Sequence, residues 1–100
     1  MARILIVEDE PPINELICRN LLLVGHESVQ VYDGIAAIDE TQKQSFDLII
    51  LDILLPRLNG FEVIEKINNI PVIFLTAKDG LSDRVKGHSR KFLGISYIEF

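Results

Sequence analysis

Phe46-Asp47-Leu48-Ile49-Ile50-Leu51-Asp52-Ile53-Leu54-Leu55 is the stretch that decides the fold. From Leu48 to Leu55 only Asp52 is not apolar. An unbroken apolar run, rather than an alternating one, fits a strand covered on both faces. Pro56 and Asn59-Gly60 break it. The same signature lies on either side: Ile4 to Val7, and Val72 to Leu75 after Pro71. Glu27 to Tyr32, with Val29 and Val31 in alternation, reads as an edge-like strand. Ile95 to Phe100 reads as a fifth, short one.

Helical segments fill the gaps. Pro11 and Pro12 suit a first helical turn, and the preceding Glu8, Asp9 and Glu10 complement a helix dipole. Ile13, Leu16, Ile17, Leu21 and Val24 then recur at helical spacing up to Gly25, a stop signal. Asp33-Gly34 is a turn, followed by a helix over Ile35 to Lys43 with Ile35 and Ile38 on one side. Phe61, Ile64 and Ile67 pace a third helix, and Ser82 to Arg90 a weaker fourth. Strands separated by helices imply right-handed crossovers and a parallel sheet, hence the α/β class.

Composition narrows the function. One hundred residues suit a single domain over 1–100, and 48% hydrophobic with 25% charged residues supports a packed core. A net charge of −5 argues against direct nucleic-acid binding. Cys18, the one cysteine, excludes an internal disulfide and a multi-cysteine metal site. No apolar stretch is long enough for a bilayer and no signal peptide is evident, so a cytoplasmic protein without membrane association is expected.

In open parallel sheets, ligands bind beyond the carboxyl ends of the strands. Glu8 and Asp9, then Asp52, then Thr76 stand at those ends. An aspartate inside an apolar run is costly unless it is paired or holds a metal. Carboxylates crowded together hold a proton or recruit a cation, and hard oxygen donors without His or Cys favour Mg²⁺. Beside Mg²⁺, an aspartate can attack phosphorus and become an acyl phosphate. The Thr76 hydroxyl could then bond a phosphoryl oxygen and draw its loop inward. Alone, Asp9 reads equally well as a capping residue, and Thr76 reads better as a strand-end hydroxyl. Together with Asp52 they form a constellation. His26 reads as a solvated turn residue and Cys18 as a small core or boundary residue. Glu62, Glu65 and Lys66 read as the wet face of a helix.

The constellation resembles the receiver domain of two-component response regulators. The matching text is Ile4-Leu5-Ile6-Val7-Glu8-Asp9-Glu10, then Asp47 to Pro56, then Asn59-Gly60, then Pro71-Val72-Ile73-Phe74-Leu75-Thr76-Ala77. It runs over about residues 3–87. The resemblance implies a flavodoxin-like, doubly wound parallel sheet of strand order 2-1-3-4-5. It implies that Asp52 is the phosphoacceptor, supplied by a sensor histidine kinase. Mg²⁺ would be held by Glu8, Asp9, Asp52 and the Leu54 carbonyl, with Asp9 favoured over Glu8 as the direct ligand. Thr76 and the Ala77 amide would form the switch. Such a module is not a turnover enzyme.

Residues 88–100 depart from the family text, which continues to a strand ending in Lys-Pro and a last helix. Counted without gaps from Thr76, the family lysine falls on Ile98. The last strand and helix are therefore expected to be altered or missing. Apolar surface laid bare would favour a homodimer, formed by exchange of elements. The alternative function is a truncated or pseudo-receiver acting as a dimerisation or interaction module with weak or no phosphorylation. A hydrolase with an aspartyl nucleophile is disfavoured, because that class would want an acid where Leu54 stands.

Overall fold

A computed structural model describes residues 1–52, 55, 60–67, 70–76 and 96–99. The order of elements is β1 (Arg3–Val7), α1 (Pro11–Leu23), β2 (Glu27–Val31), α2 (Gly34–Lys43), β3 (Leu48–Asp52), α3 (Gly60–Lys66), β4 (Val72–Thr76) and β5 (Ser96–Glu99). The five strands form one sheet ordered β2-β1-β3-β4-β5. All four pairings are parallel. This is the flavodoxin-like arrangement expected, with β2 at an edge. The fifth strand is present rather than lost, in register with β4 at Leu75↔Ile98 and Thr76↔Glu99. The helix expected over Ser82 to Arg90 lies outside the described residues.

Two-residue periodicity explains why the central strands are apolar throughout. Leu5 and Val7, Ile49 and Leu51, and Val72 and Phe74 face one layer, where they pack with Ala37 of α2 and Val63 and Ile64 of α3. Ile4, Ile50 and Leu75 face the other, packed with Ile17 and Leu21 of α1. Burial on both faces leaves no position for a polar residue until the strands end.

Local chemistry sets the boundaries. Asp33 is the N-cap of α2, its carboxylate accepting the Ala36 N–H at 2.7 Å. Gly25, at φ 89°, follows α1 in the left-handed conformation that glycine adopts without strain. Phe46 and Asp47, read as strand, precede β3 instead. The Asp47 N–H donates to the Arg3 carbonyl at 2.8 Å, and the Asp47 carboxylate accepts the Arg3 N–H at 2.8 Å, anchoring the start of β3 to β1.

Three sequence readings need correction. Leu16 and Val24 are not core: they are 60% and 68% exposed. The inward stripe of α1 runs Asn14, Ile17, Cys18, Leu21, spaced i, i+3, i+4, i+7, and Asn14 is its fully buried member. On α2, Ile35 is exposed and Ala37 takes the core position beside Ile38. His26 is not simply solvated. It is half-buried, and its Nδ1 accepts the Ala2 N–H at 3.0 Å, tying the β2 entry to the β1 entry. Cys18 is a boundary residue, 3.1 Å from the Ser28 hydroxyl, and Glu62, Glu65 and Lys66 are exposed.

Candidate functional site

Parallel register brings the acids together. Val7 pairs with Leu51, so Glu8, the first residue after β1, and Asp52, the last residue of β3, both stand one position beyond that rung. Even-numbered residues of β1 and β3 share the α1 side of the sheet, which sets Glu8 and Asp52 on one side. Asp9 follows in the short connection to α1. One carboxylate oxygen from each of Glu8, Asp9 and Asp52 lies within 4.8 Å of the others. Among the described residues this is the cluster with metal-ligand geometry, and it contains no His or Cys.

The three acids differ in setting. Glu8 is only 1% exposed, whereas Asp9 is exposed and Asp52 half-buried. Burial pushes the Glu8 carboxyl up to about 8. Contacts with Asp9 and Asp52 push the same way, against the Glu10 N–H, which donates to the Glu8 carboxylate at 2.8 Å. Near neutral pH without a cation, Glu8 therefore keeps its proton. The donor set fits a hard divalent ion: carboxylate oxygens alone, closely spaced, with Asp9 open to water.

Asn14 is the residue that sequence reasoning missed. Its amide nitrogen donates to the Glu8 carbonyl at 3.0 Å and to the Val31 carbonyl at 2.9 Å. A polar residue in phase with Ile17, Cys18 and Leu21 was the available signal. On the far side of the cluster, Asp52 pairs with Leu75, so Thr76 stands one residue beyond that rung on the neighbouring strand. In register with Thr76 is Glu99 of β5 rather than a basic residue. The Leu54 carbonyl and the Ala77 amide lie outside the described residues.

Comparisons with known proteins agree with this architecture. A family model described as the response regulator receiver domain matches residues 4–95, past Gly87 and into the tail. The transcriptional activator protein IrlR of Burkholderia pseudomallei is 42% identical over 88 residues, covering 85% of this chain and 38% of that protein. The DNA-binding dual master transcriptional regulator RpaA of Synechocystis is 37% identical, covering 87% of this chain and 39% of that protein. The chain thus spans under two-fifths of the length of these relatives. Among solved structures, the N-terminal domain of a response regulator receiver protein from Methanoculleus marisnigri superposes with a TM-score of 0.86 at 26% identity, covering 99% of this chain and 84% of that one. Chemotaxis protein CheY4 of Vibrio cholerae gives 0.84 at 26%, covering 99% and 86%. With a family match over nearly its whole length, a parallel sheet in the matching order and acids clustered at its carboxyl edge, the chain belongs to the response regulator receiver domain family.

Proposed function

We propose that this chain is the phosphoacceptor domain of a two-component response regulator, and that Asp52 receives the phosphoryl group from a sensor histidine kinase. The observation that carries this reading is the trio of carboxylates within 4.8 Å at the sheet's carboxyl edge. Glu8, Asp9, Asp52 and the Leu54 carbonyl would hold Mg²⁺. When bound, Mg²⁺ supplies positive charge against the phosphoryl oxygens and the crowded acids. An oxygen of ionised Asp52 attacks phosphorus in line, and the P–N bond to the kinase histidine breaks. The electron pair stays on the imidazole nitrogen, which takes a proton from solvent. The product is an acyl phosphate on Asp52. The Thr76 hydroxyl and Ala77 amide then bond the phosphoryl oxygens and shift the loop after β4, a local charge event read out at the surface.

Residues 1–100 act as one receiver domain in this reading, cytoplasmic and without direct contact to nucleic acid or membrane. Among the described residues no helix is long and apolar enough to cross a membrane. The module signals rather than turns over substrate. Intact mass spectrometry after incubation with Mg²⁺ and a small acyl-phosphate donor tests the proposal. It predicts one added phosphoryl group on the wild type and none on Asp52→Asn or with chelator; an unmodified wild type refutes it.

A second reading has its own observation. With Glu99 in the rung beside Thr76 and no basic residue in β5, a lysine–phosphoryl contact is not available from that strand. Such a charge-assisted bond contributes about 1.5–3 kcal/mol. The domain would then switch weakly and act through a homodimer, formed by exchange of elements. Exposed Leu16, Leu22, Leu23 and Val24 on and after α1 supply apolar surface for association. Light scattering that gives a monomer mass at all micromolar concentrations refutes the dimer.

A further inference from the structure

Two facts about Asn14 need a common explanation. Its side chain is fully buried, and its Oδ1 has no hydrogen-bond partner among the described residues. An orphaned buried acceptor costs stability, and a leucine of similar volume would avoid that cost. What leucine would lose is the amide's pair of donors. Both are used, on the Glu8 carbonyl at the end of β1 and the Val31 carbonyl at the end of β2.

Those donors are scarce at this point of the chain. Glu8, Asp9 and Glu10 form the whole connection between β1 and α1. Pro11 and Pro12 follow, and proline has no N–H to give. The Glu10 N–H is taken by the Glu8 carboxylate, and the Ile13 and Asn14 N–H groups by the Glu10 carbonyl. The Glu8 N–H bonds the same Val31 carbonyl, at 3.2 Å. Backbone groups and the Asn14 amide thus meet at one point directly behind two of the three acids.

We infer that Asn14 is a positioning residue for the cation site: its buried amide locks the Glu8–Glu10 turn so that the carboxylates of Glu8 and Asp9 stay converged on Asp52. This rests on the Mg²⁺ reading above. A residue behind a metal site that orients its ligands typically changes affinity by about 10- to 100-fold when removed.

The test compares the wild-type chain with Asn14→Leu, Asn14→Asp and Asn14→Gln. Mg²⁺ dissociation constants come from isothermal titration calorimetry, and the folded state is verified by circular dichroism and urea unfolding in chelator. Folded Asn14→Leu and Asn14→Asp, which lack the amide donors, should bind Mg²⁺ about 10- to 100-fold more weakly. Asn14→Gln keeps the donors and should recover most of the affinity. A purely structural role predicts lower urea midpoints with unchanged Mg²⁺ affinity in the folded chain, and that result overturns the inference. If the Leu and Asp variants do not fold, Asn14→Ser takes their place with a single donor; wild-type affinity there overturns the inference equally. A wild-type chain that binds no Mg²⁺ refutes the site reading, and the inference with it. Wild-type binding that all variants retain refutes the inference alone.

Discussion

Glu8→Gln separates the electrostatics of the acid cluster from everything else that titrates. Glutamine keeps an acceptor for the Glu10 N–H, which Glu8 holds at 2.8 Å, and mimics the protonated acid in shape. In the folded chain the Glu8 carboxyl sits at about 8, against 4.5 when unperturbed, with burial as the first cause and Asp9 and Asp52 adding to it. A raised acid pKa means that the folded chain holds the proton more tightly than the unfolded one. The resulting stability is complete below pH 4.5 and is lost as pH rises through about 8. Its size follows from the geometry. Two carboxylates 4.8 Å apart repel by about 1 kcal/mol at the dielectric of water and about 3 kcal/mol at an effective dielectric of 20. Desolvation acts in the same direction, while solvent around Asp9 and the open side of Asp52 screens the repulsion. A loss on the order of 3 kcal/mol across the window is expected. That corresponds to a melting shift on the order of 10–20 °C for a domain of this size. Urea unfolding in chelator, at intervals from acid to mildly alkaline pH, should show the wild type weakening through this window. Glu8→Gln should lose the part of that slope which the buried Glu8 carboxyl contributes. Parallel profiles for the two chains would refute the argument.

The same proton opposes cation binding. Below about pH 8, Mg²⁺ must displace the Glu8 proton, so affinity should rise with pH by up to about tenfold per unit, measured by calorimetry in buffers of different ionisation heat. Glu8→Gln should lose this pH dependence. Asp33→Ala removes the α2 cap that accepts the Ala36 N–H and should cost about 1 kcal/mol in urea unfolding, with Mg²⁺ affinity unchanged. Leu5→Ala, at a fully buried β1 position in the α2/α3 layer, should cost about 2–5 kcal/mol.

The sheet was legible because its strands are buried on both faces. Ile4–Val7, Leu48–Leu51 and Val72–Leu75 carry no alternation, and their separation by helices leaves little choice but a parallel order. The acids were legible for the same reason: Asp52 is the first polar residue that β3 tolerates, and register sets it beside Glu8. Helix faces were harder to read. Leu16 and Val24 look like core by residue type, yet α1 turns Asn14 inward, where its amide donates to the strand-end carbonyls of Glu8 and Val31, a polar tie that hydrophobic periodicity does not count. His26 was misread for a similar reason, since its bond to Ala2 spans two strand entries far apart in sequence. The tail differs in wording from the family text, yet Ser96–Glu99 still completes the sheet, because a four-residue strand needs only the backbone edge of β4 to pair with.

Cation binding at the sheet's carboxyl edge requires that Glu8, Asp9 and Asp52 form one pocket. A crystal structure of the chain with Mn²⁺ in place of Mg²⁺, read through anomalous scattering, tests that most directly. A single Mn²⁺ peak in contact with the Asp9 and Asp52 carboxylates is the predicted result. Density without such a peak at saturating Mn²⁺, or a peak elsewhere on the molecule, would contradict it.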